Sequence, residues 1–206
     1  MCSYKYLGVY IDDVLSFKRH VHYVCKTVSR NLGIMRKLKH FFPPFVMRLL
    51  YYSLIHPYIL YCSSVWLGTF PSIARPIRVL QNNAVRLLDG LQPRDSVRNV
   101  YERVKILPAS GLRELYTLLF IFRIQRGINL PCFDCLANLR SSVHDYDTRS
   151  SAEINIPLVV SARSMFSLLH RGIRSWNHLD QNTKNIGDIS SFKIVIKGML
   201  FSKYEF

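Results

Sequence analysis

Apolar residues recur at three- and four-residue spacing from Phe17 to His40, at Val21, Val24, Cys25, Val28, Leu32, Met35 and Leu38. That spacing predicts one long amphipathic helix. Ahead of it, Tyr4 to Val9 with Ile11 alternate as a strand does, Asp12-Asp13 makes a turn, and Ser16 is placed to cap the helix. Pro43-Pro44 ends the first helix and starts a second, running through Val46, Leu49, Leu50, Leu54 and Ile55 toward Trp66, which Pro57 must kink or break. Ser72 to Leu88 is amphipathic again, closed by Asp89-Gly90. Asp95 to Val104 reads as a further helix, and Leu112 to Arg126 as another with Gly127 as its C-cap.

Beyond Pro131 the texture changes to short segments and turn residues, with an extended or strand-like stretch at Ile154 to Val160. A serine-capped helix, Ser190 to Phe201, closes the chain with Phe192, Val195, Ile196, Met199 and Leu200 on its apolar side. The expected fold class is mainly α: a helical bundle preceded by a short N-terminal strand and followed by an irregular C-terminal region. The expected segments are 1–16, 17–130 and 131–206.

Composition narrows the class. With 49% apolar and 13% aromatic residues among 206, the chain can bury enough surface to offset the entropy of folding, which excludes a disordered basic tail. Nine glycines and nine prolines without a period exclude collagen-like and low-complexity classes. The five cysteines, Cys2, Cys25, Cys62, Cys132 and Cys135, are an odd and uneven set, and no secretory signal opens the sequence. An intracellular, reducing location, nucleus or cytoplasm, is expected. The stretch Leu49 to Ala74 holds no charged residue, yet His56, Pro57 and several tyrosines and serines interrupt it, so burial is preferred to a membrane span.

The charge is more telling. The formal net charge is +15, and between Val14 and Leu88 stand Lys18, Arg19, Lys26, Arg30, Arg36, Lys37, Lys39, Arg48, Arg75, Arg78 and Arg86 with no acid among them. So one-sided a surface repels itself unless a polyanion neutralises it, which points to nucleic acid or an anionic membrane, against the plainer reading of a solvated basic surface. The candidate nucleic-acid contacts are Lys18, Arg19, Lys26, Arg30, Arg36, Lys37 and Lys39. Tyr51, Tyr52, Tyr58, Tyr61 and Trp66 are read as core aromatics, and base or sugar contact is kept only for Phe41 and Phe42, which follow the basic cluster.

Three arrangements invite a catalytic or metal reading. Tyr10-Ile11-Asp12-Asp13 has the Y-x-D-D form of polymerase centres, but two-metal chemistry needs a further carboxylate, and the next acid downstream is Asp89. Cys132-x-x-Cys135 with His144 has zinc-like spacing and lacks a fourth ligand, so coincidental cysteines are favoured. No nucleophile elbow, H-E-x-x-H or phosphate-binding glycine loop occurs. No catalytic residue and no metal ligand is assigned.

Tyr6-Leu7-Gly8-Val9-Tyr10-Ile11-Asp12 followed by Leu15-Ser16-Phe17 resembles the Y-L-G-V-x-I-D-x-x-L-S-[FW] signature of non-LTR (LINE-type, jockey-like) retrotransposon reverse transcriptases. The resemblance continues through Tyr51-Tyr52-Ser53-Leu54-Ile55-His56-Pro57-Tyr58, Tyr61-Cys62 and Val65-Trp66. Leu80-Gln81-Asn82-Asn83-Ala84-Val85-Arg86 is similar to the family's L-Q-[KN]-x-A-[IV]-R helix, with Asn82-Asn83 where many relatives carry a basic residue. His144-x-Tyr146-x-Thr148-Arg149 and Arg171-Gly172-x-x-x-Trp176-Asn177-x-Leu179 are similar to its H-x-Y-x-T-R and R-G-x-x-x-W-N-x-L elements.

In that family the first signature lies after the catalytic motifs, where the palm gives way to a helical thumb. The resemblance therefore implies residues 1–16 as the end of the palm and primer grip, 17–130 as a thumb-like domain and 131–206 as a C-terminal region. The implied function is binding of an RNA/DNA template-primer duplex within an RNA-directed DNA polymerase whose catalytic aspartates lie upstream of anything present here. These residues alone are expected to be inactive, with no cofactor of their own and Mg needed only by the intact polymerase. An intact polymerase or its palm is a further expected partner, and a membrane is not. The alternatives are a protein-interaction module and a transposon remnant without function.

Overall fold

The alternation at the N-terminus folds as a hairpin in the computed structural model, which describes residues 3–68, 70–97, 100–142, 153–159, 161 and 164–204. Strand β1 (Ser3–Tyr6) pairs antiparallel with β2 (Val9–Asp12), Tyr6 opposite Val9 and Ser3 opposite Asp12. The turn is therefore Leu7-Gly8, inside the stretch that the sequence pattern presents as one strand. Both turn residues have positive φ, 45° and 86°, the handedness that matches a hairpin's own twist. Glycine meets that demand freely and Leu7 does so at a cost of about 1 kcal/mol.

Helix α1 (Lys18–Leu38) follows. Its cap is Phe17, in the left-handed region at φ 54° and without a side-chain cap bond, rather than Ser16. Ser16 is held instead by the buried Asp12, whose carboxylate accepts from the Ser16 amide at 2.7 Å and from its hydroxyl at 3.0 Å. Val21, Val24, Val28, Leu32 and Met35 are buried as their spacing predicts. His20, Thr27 and Asn31 share that face, and Asn31 donates to the Leu54 carbonyl at 2.6 Å.

The second predicted helix, expected to run toward Trp66 with a kink or break at Pro57, is three short helices, α2 (Pro44–Leu54), α3 (His56–Leu60) and α4 (Ser63–Trp66). Pro57 dictates the first break, which falls just ahead of it at Ile55, and Cys62 at φ 52° makes the second. Tyr51, Ile55, Ile59 and Trp66 are fully buried. No helix among the described residues is long and apolar enough to cross a membrane.

Helix α5 (Pro71–Asp89) packs along α1 and ends at Gly90, φ 75°. Only α6 (Val100–Arg103) is helical among the described residues of Asp95 to Val104, because Asp95 is spent on a turn, accepting from the Gln92 amide at 2.8 Å. Helix α7 (Ala109–Gln125) ends with Gly127 at φ 63°. A 3-10 turn at Pro131–Ala137 and a bridge between Leu139 and Ile154 follow, and residues 155–159 form neither helix nor strand. The last third is more regular than its texture suggests, with α8 (Leu168–Asn177), α9 (Gln181–Lys184) and α10 (Ile189–Lys203). Asp188, rather than Ser190, caps α10 by accepting from the Ser191 amide at 2.8 Å. Of its predicted apolar side Phe192, Ile196 and Leu200 are buried, while Val195 and Met199 are exposed.

The fold is thus mainly helical with a small N-terminal antiparallel sheet. It forms two compact units, Met1–Arg113 with Leu200–Phe206, and Glu114–Met199. In the first, the buried amide of Gln81 donates to the Tyr51 hydroxyl at 3.1 Å and the Leu107 carbonyl at 3.0 Å, and accepts from the Ala109 amide at 2.7 Å. In the second, Phe122 stacks on Phe192 at 4.4 Å with Trp176 against both. There Gly172 lets α8 approach α7: a Cβ would lie 2.8 Å from Cγ2 of Thr117.

Candidate nucleic-acid interface

A helix that buries one apolar stripe must present its remaining side chains to solvent, and on α1 those are cations. Lys18, Arg19, Lys26, Arg30, Arg36 and Lys37 are all exposed. At 3.6 residues per turn they fall within an arc of about 120° opposite the buried stripe, with His22 exposed among them. The helix is about 30 Å long at 1.5 Å per residue, the axial length of roughly nine phosphates along one strand of a duplex. Lys39, the last of the sequence candidates, sits at the C-cap with intermediate exposure.

None of these cations is paired with a carboxylate among the described residues, and the pairs of Arg103 with Asp89 and Arg140 with Glu153 lie elsewhere. Arg19 is the one already engaged: its guanidinium donates to the Ser3 hydroxyl and lies 5.1 Å from the Tyr10 ring centroid. Lys18, Lys26, Arg30, Arg36 and Lys37 therefore carry the open positive charge.

The hairpin adds Lys5, a residue that sequence reasoning missed. Its ammonium lies 5.7 Å from the centroid of Tyr10, directly opposite it in register. Lys5 and Arg19 thus converge on one ring, which in turn meets Tyr23 edge-on at 5.6 Å. The signal was the two-residue strand period, which identifies this pairing only when the turn is placed at Leu7-Gly8. Arg48 on α2 and Arg75 and Arg78 on α5 are exposed too.

Beneath the hairpin, His20 is buried edge-on against Trp66 at 5.1 Å and accepts a long bond, 3.4 Å, from the Tyr10 amide. Desolvation lowers its pKa to about 4, so it is neutral at physiological pH and adds nothing to the cationic face. Trp66 donates to the Tyr61 carbonyl at 2.7 Å, and the Tyr61 hydroxyl donates to the Leu7 carbonyl, which fixes the hairpin turn. Of the aromatics read as core, Tyr51 and Trp66 are buried and Tyr52 is intermediate, whereas Tyr58 and Tyr61 are exposed. Phe41 and Phe42, kept for base or sugar contact, are exposed.

The Y-x-D-D pair is not a pair in space. Burial works to raise the Asp12 pKa, but the hydrogen bonds from Ser16 prevail and hold it below the usual carboxylate value, so it is an ionised acceptor already occupied by Ser16. Asp13 is exposed. Cys132 is exposed within its 3-10 turn, while the Cys135 side chain, His144 and the whole His144–Arg149 element lie outside the described residues. No cluster of three or more His, Cys, Asp or Glu suited to a metal occurs among the described residues.

Other motifs have architectural roles. Gln81 joins α5, α2 and the start of α7, and the Asn82 side chain accepts from the Tyr101 hydroxyl at 2.6 Å. Asn177 pairs with both backbone groups of Ile154, donating at 2.9 Å and accepting at 3.2 Å. No protein-family model, curated protein or solved structure matches the chain.

Proposed function

We propose that the chain binds nucleic acid through its phosphates, without reading sequence, as a helical thumb grips a template-primer duplex. The observation that carries this reading is the acid-free, exposed cationic face of α1, about as long as one helical turn of duplex. A line of charges at phosphate-like reach suits a backbone, which offers affinity without base contacts. The resemblance to non-LTR reverse transcriptases supports the same reading, in which these residues belong to the palm end, thumb and C-terminal region of an RNA-directed DNA polymerase. In that reading the catalytic aspartates are not among these residues, and Asp12 serves the fold.

The test is fluorescence anisotropy of the chain against RNA/DNA hybrid, duplex DNA and single strands over a range of salt. Reversing Arg30, Arg36 and Lys37 to Glu is expected to weaken all sequences alike and to flatten the log–log salt slope by about 2 to 3, since each phosphate contact contributes roughly 0.9 on duplex DNA. Unchanged affinity and slope would refute the assignment. Protein docking is the second reading, favoured by the hairpin, which exposes Tyr4, Tyr6 and Leu7 and on which β1 pairs only with β2 among the described residues. Concentration-dependent association without nucleic-acid affinity would establish it instead.

A further inference from the structure

The cationic face of α1 ends on unusual chemistry. Phe41 is 80% exposed, Phe42 43% and, one residue into α2, Phe45 74%. Burying such rings is worth about 2 kcal/mol each, so leaving three of them in water at one turn is a cost that the fold does not recover internally. None of the three meets another ring among the described residues, whereas Tyr10, Tyr23, Tyr51, Tyr52 and Trp66 of the first unit do. Backbone bonds hold the turn that presents them: the Phe41 and Phe42 amides donate to the Leu38 carbonyl at 3.0 and 3.2 Å.

The surroundings select the occupant. Arg36 and Lys37 end α1 just before the rings, and Arg48 follows Phe45 by three residues, on the same side of α2. No acid lies anywhere between Val14 and Leu88. A second copy of this chain would bring the same positive charge to the patch and be repelled. A polyanion with flat apolar faces is matched on both counts, and single-stranded nucleic acid is such a molecule: cations follow its phosphates while rings stack on its bases. A paired duplex keeps its bases stacked internally and offers the rings nothing.

We propose that Phe41, Phe42 and Phe45 form a stacking platform for unpaired bases where the phosphate track of α1 ends, so that the chain prefers a junction of duplex with a single-stranded overhang to blunt duplex. This deepens the phosphate-binding reading and rests on it. The cations supply affinity for either form, and the rings discriminate between them.

The experiment compares wild type with Phe41→Ala/Phe45→Ala and Phe41→Leu/Phe45→Leu by anisotropy, using blunt duplex and the same duplex with a ten-nucleotide overhang. Wild type is expected to bind the overhang form at least about tenfold more tightly, given the strength of base–aromatic stacking. Both variants are expected to lose that preference, to keep blunt-duplex affinity and to keep the salt slope on blunt duplex, because no charge has changed. In Phe41→Trp, overhang DNA should quench the new, exposed indole and blunt duplex should not. Circular dichroism confirms folding of each variant.

Equal wild-type affinity for both DNAs, or an Ala variant that retains the preference, would overturn the platform and leave the phosphate track standing. No binding of either DNA at low salt would overturn both. Retention by the Leu variant alone would replace stacking with plain apolar contact and so refute it. Saturable binding to phosphatidylcholine–phosphatidylserine vesicles that overhang DNA does not displace would assign the rings to lipid.

Discussion

His20 shows what one buried side chain does to the behaviour of the chain. It stays neutral because burial between Trp66 and the hairpin lowers its pKa to about 4, whereas in the unfolded chain it titrates near 6.5. Above about pH 6.5 both states hold the neutral ring and the site is neutral to folding. As pH falls from there toward 4 the unfolded state takes up a proton that the folded state refuses, so stability declines through that window. The loss is on the order of 2–3 kcal/mol once pH is below about 4. Urea titrations of wild type and His20→Gln should show this decline in the wild type only, and parallel curves for the two would contradict it. Asp12 acts lower: its depressed pKa means that its contribution is lost as pH falls below the ordinary carboxylate range. Neither role was legible in sequence. A buried histidine looks like a polar position on the wheel, and Gln81, fully buried and fully bonded, looks like one too, because its partners Tyr51, Leu107 and Ala109 lie 26 to 30 residues away.

Properties of a single element were the ones that sequence disclosed. The α1 stripe, its cationic back and the glycine ends of α5 and α7 each depend on residues within one helix, and each stands in the structure as the spacing predicts. The hairpin was missed because its alternation continues through Leu7-Gly8 without a break, and the turn is visible only once β1 has β2 to pair with. The two expected serine caps fail beside charged acceptors: Asp12 engages Ser16 itself, through its amide and hydroxyl, and Asp188 takes the Ser191 amide at the start of α10. In the second unit, Arg171-Gly172-x-x-x-Trp176-Asn177 is an element whose meaning lies in packing. Gly172 admits α7, Trp176 joins Phe122 and Phe192, and Asn177 fixes Ile154. Gly172→Val should therefore destabilise the chain by about 1–3 kcal/mol, as overpacked contacts do. Adding Thr117→Ser, which removes the methyl 2.8 Å from the new Cβ, should restore part of the loss in denaturant melts. A Gly172→Val variant as stable as wild type would show that the helices part without cost.

At the scale of the molecule the decisive quantity is charge. A formal +15 is what remains after all 13 acids are counted against 28 Lys and Arg, and the pairs Arg103–Asp89 and Arg140–Glu153 lie off α1. The free chain must then store self-repulsion that extends over a Debye length, roughly 14 Å at 0.05 M salt and 4–5 Å at 0.5 M. Raising salt across that range should raise the Tm of the free chain, because screening relieves the folded state more than the expanded unfolded one. With RNA/DNA hybrid present the order should invert. At low salt the hybrid neutralises the same charges and binds the folded state, raising Tm by mass action, and at high salt counterion release no longer favours binding, so the gain disappears. Two melting series by differential scanning fluorimetry, with and without hybrid, would therefore converge as salt increases. Series that run parallel would mean that the charge on α1 meets no nucleic-acid backbone, and a free-chain Tm indifferent to salt would mean that the cations are spaced widely enough not to feel one another.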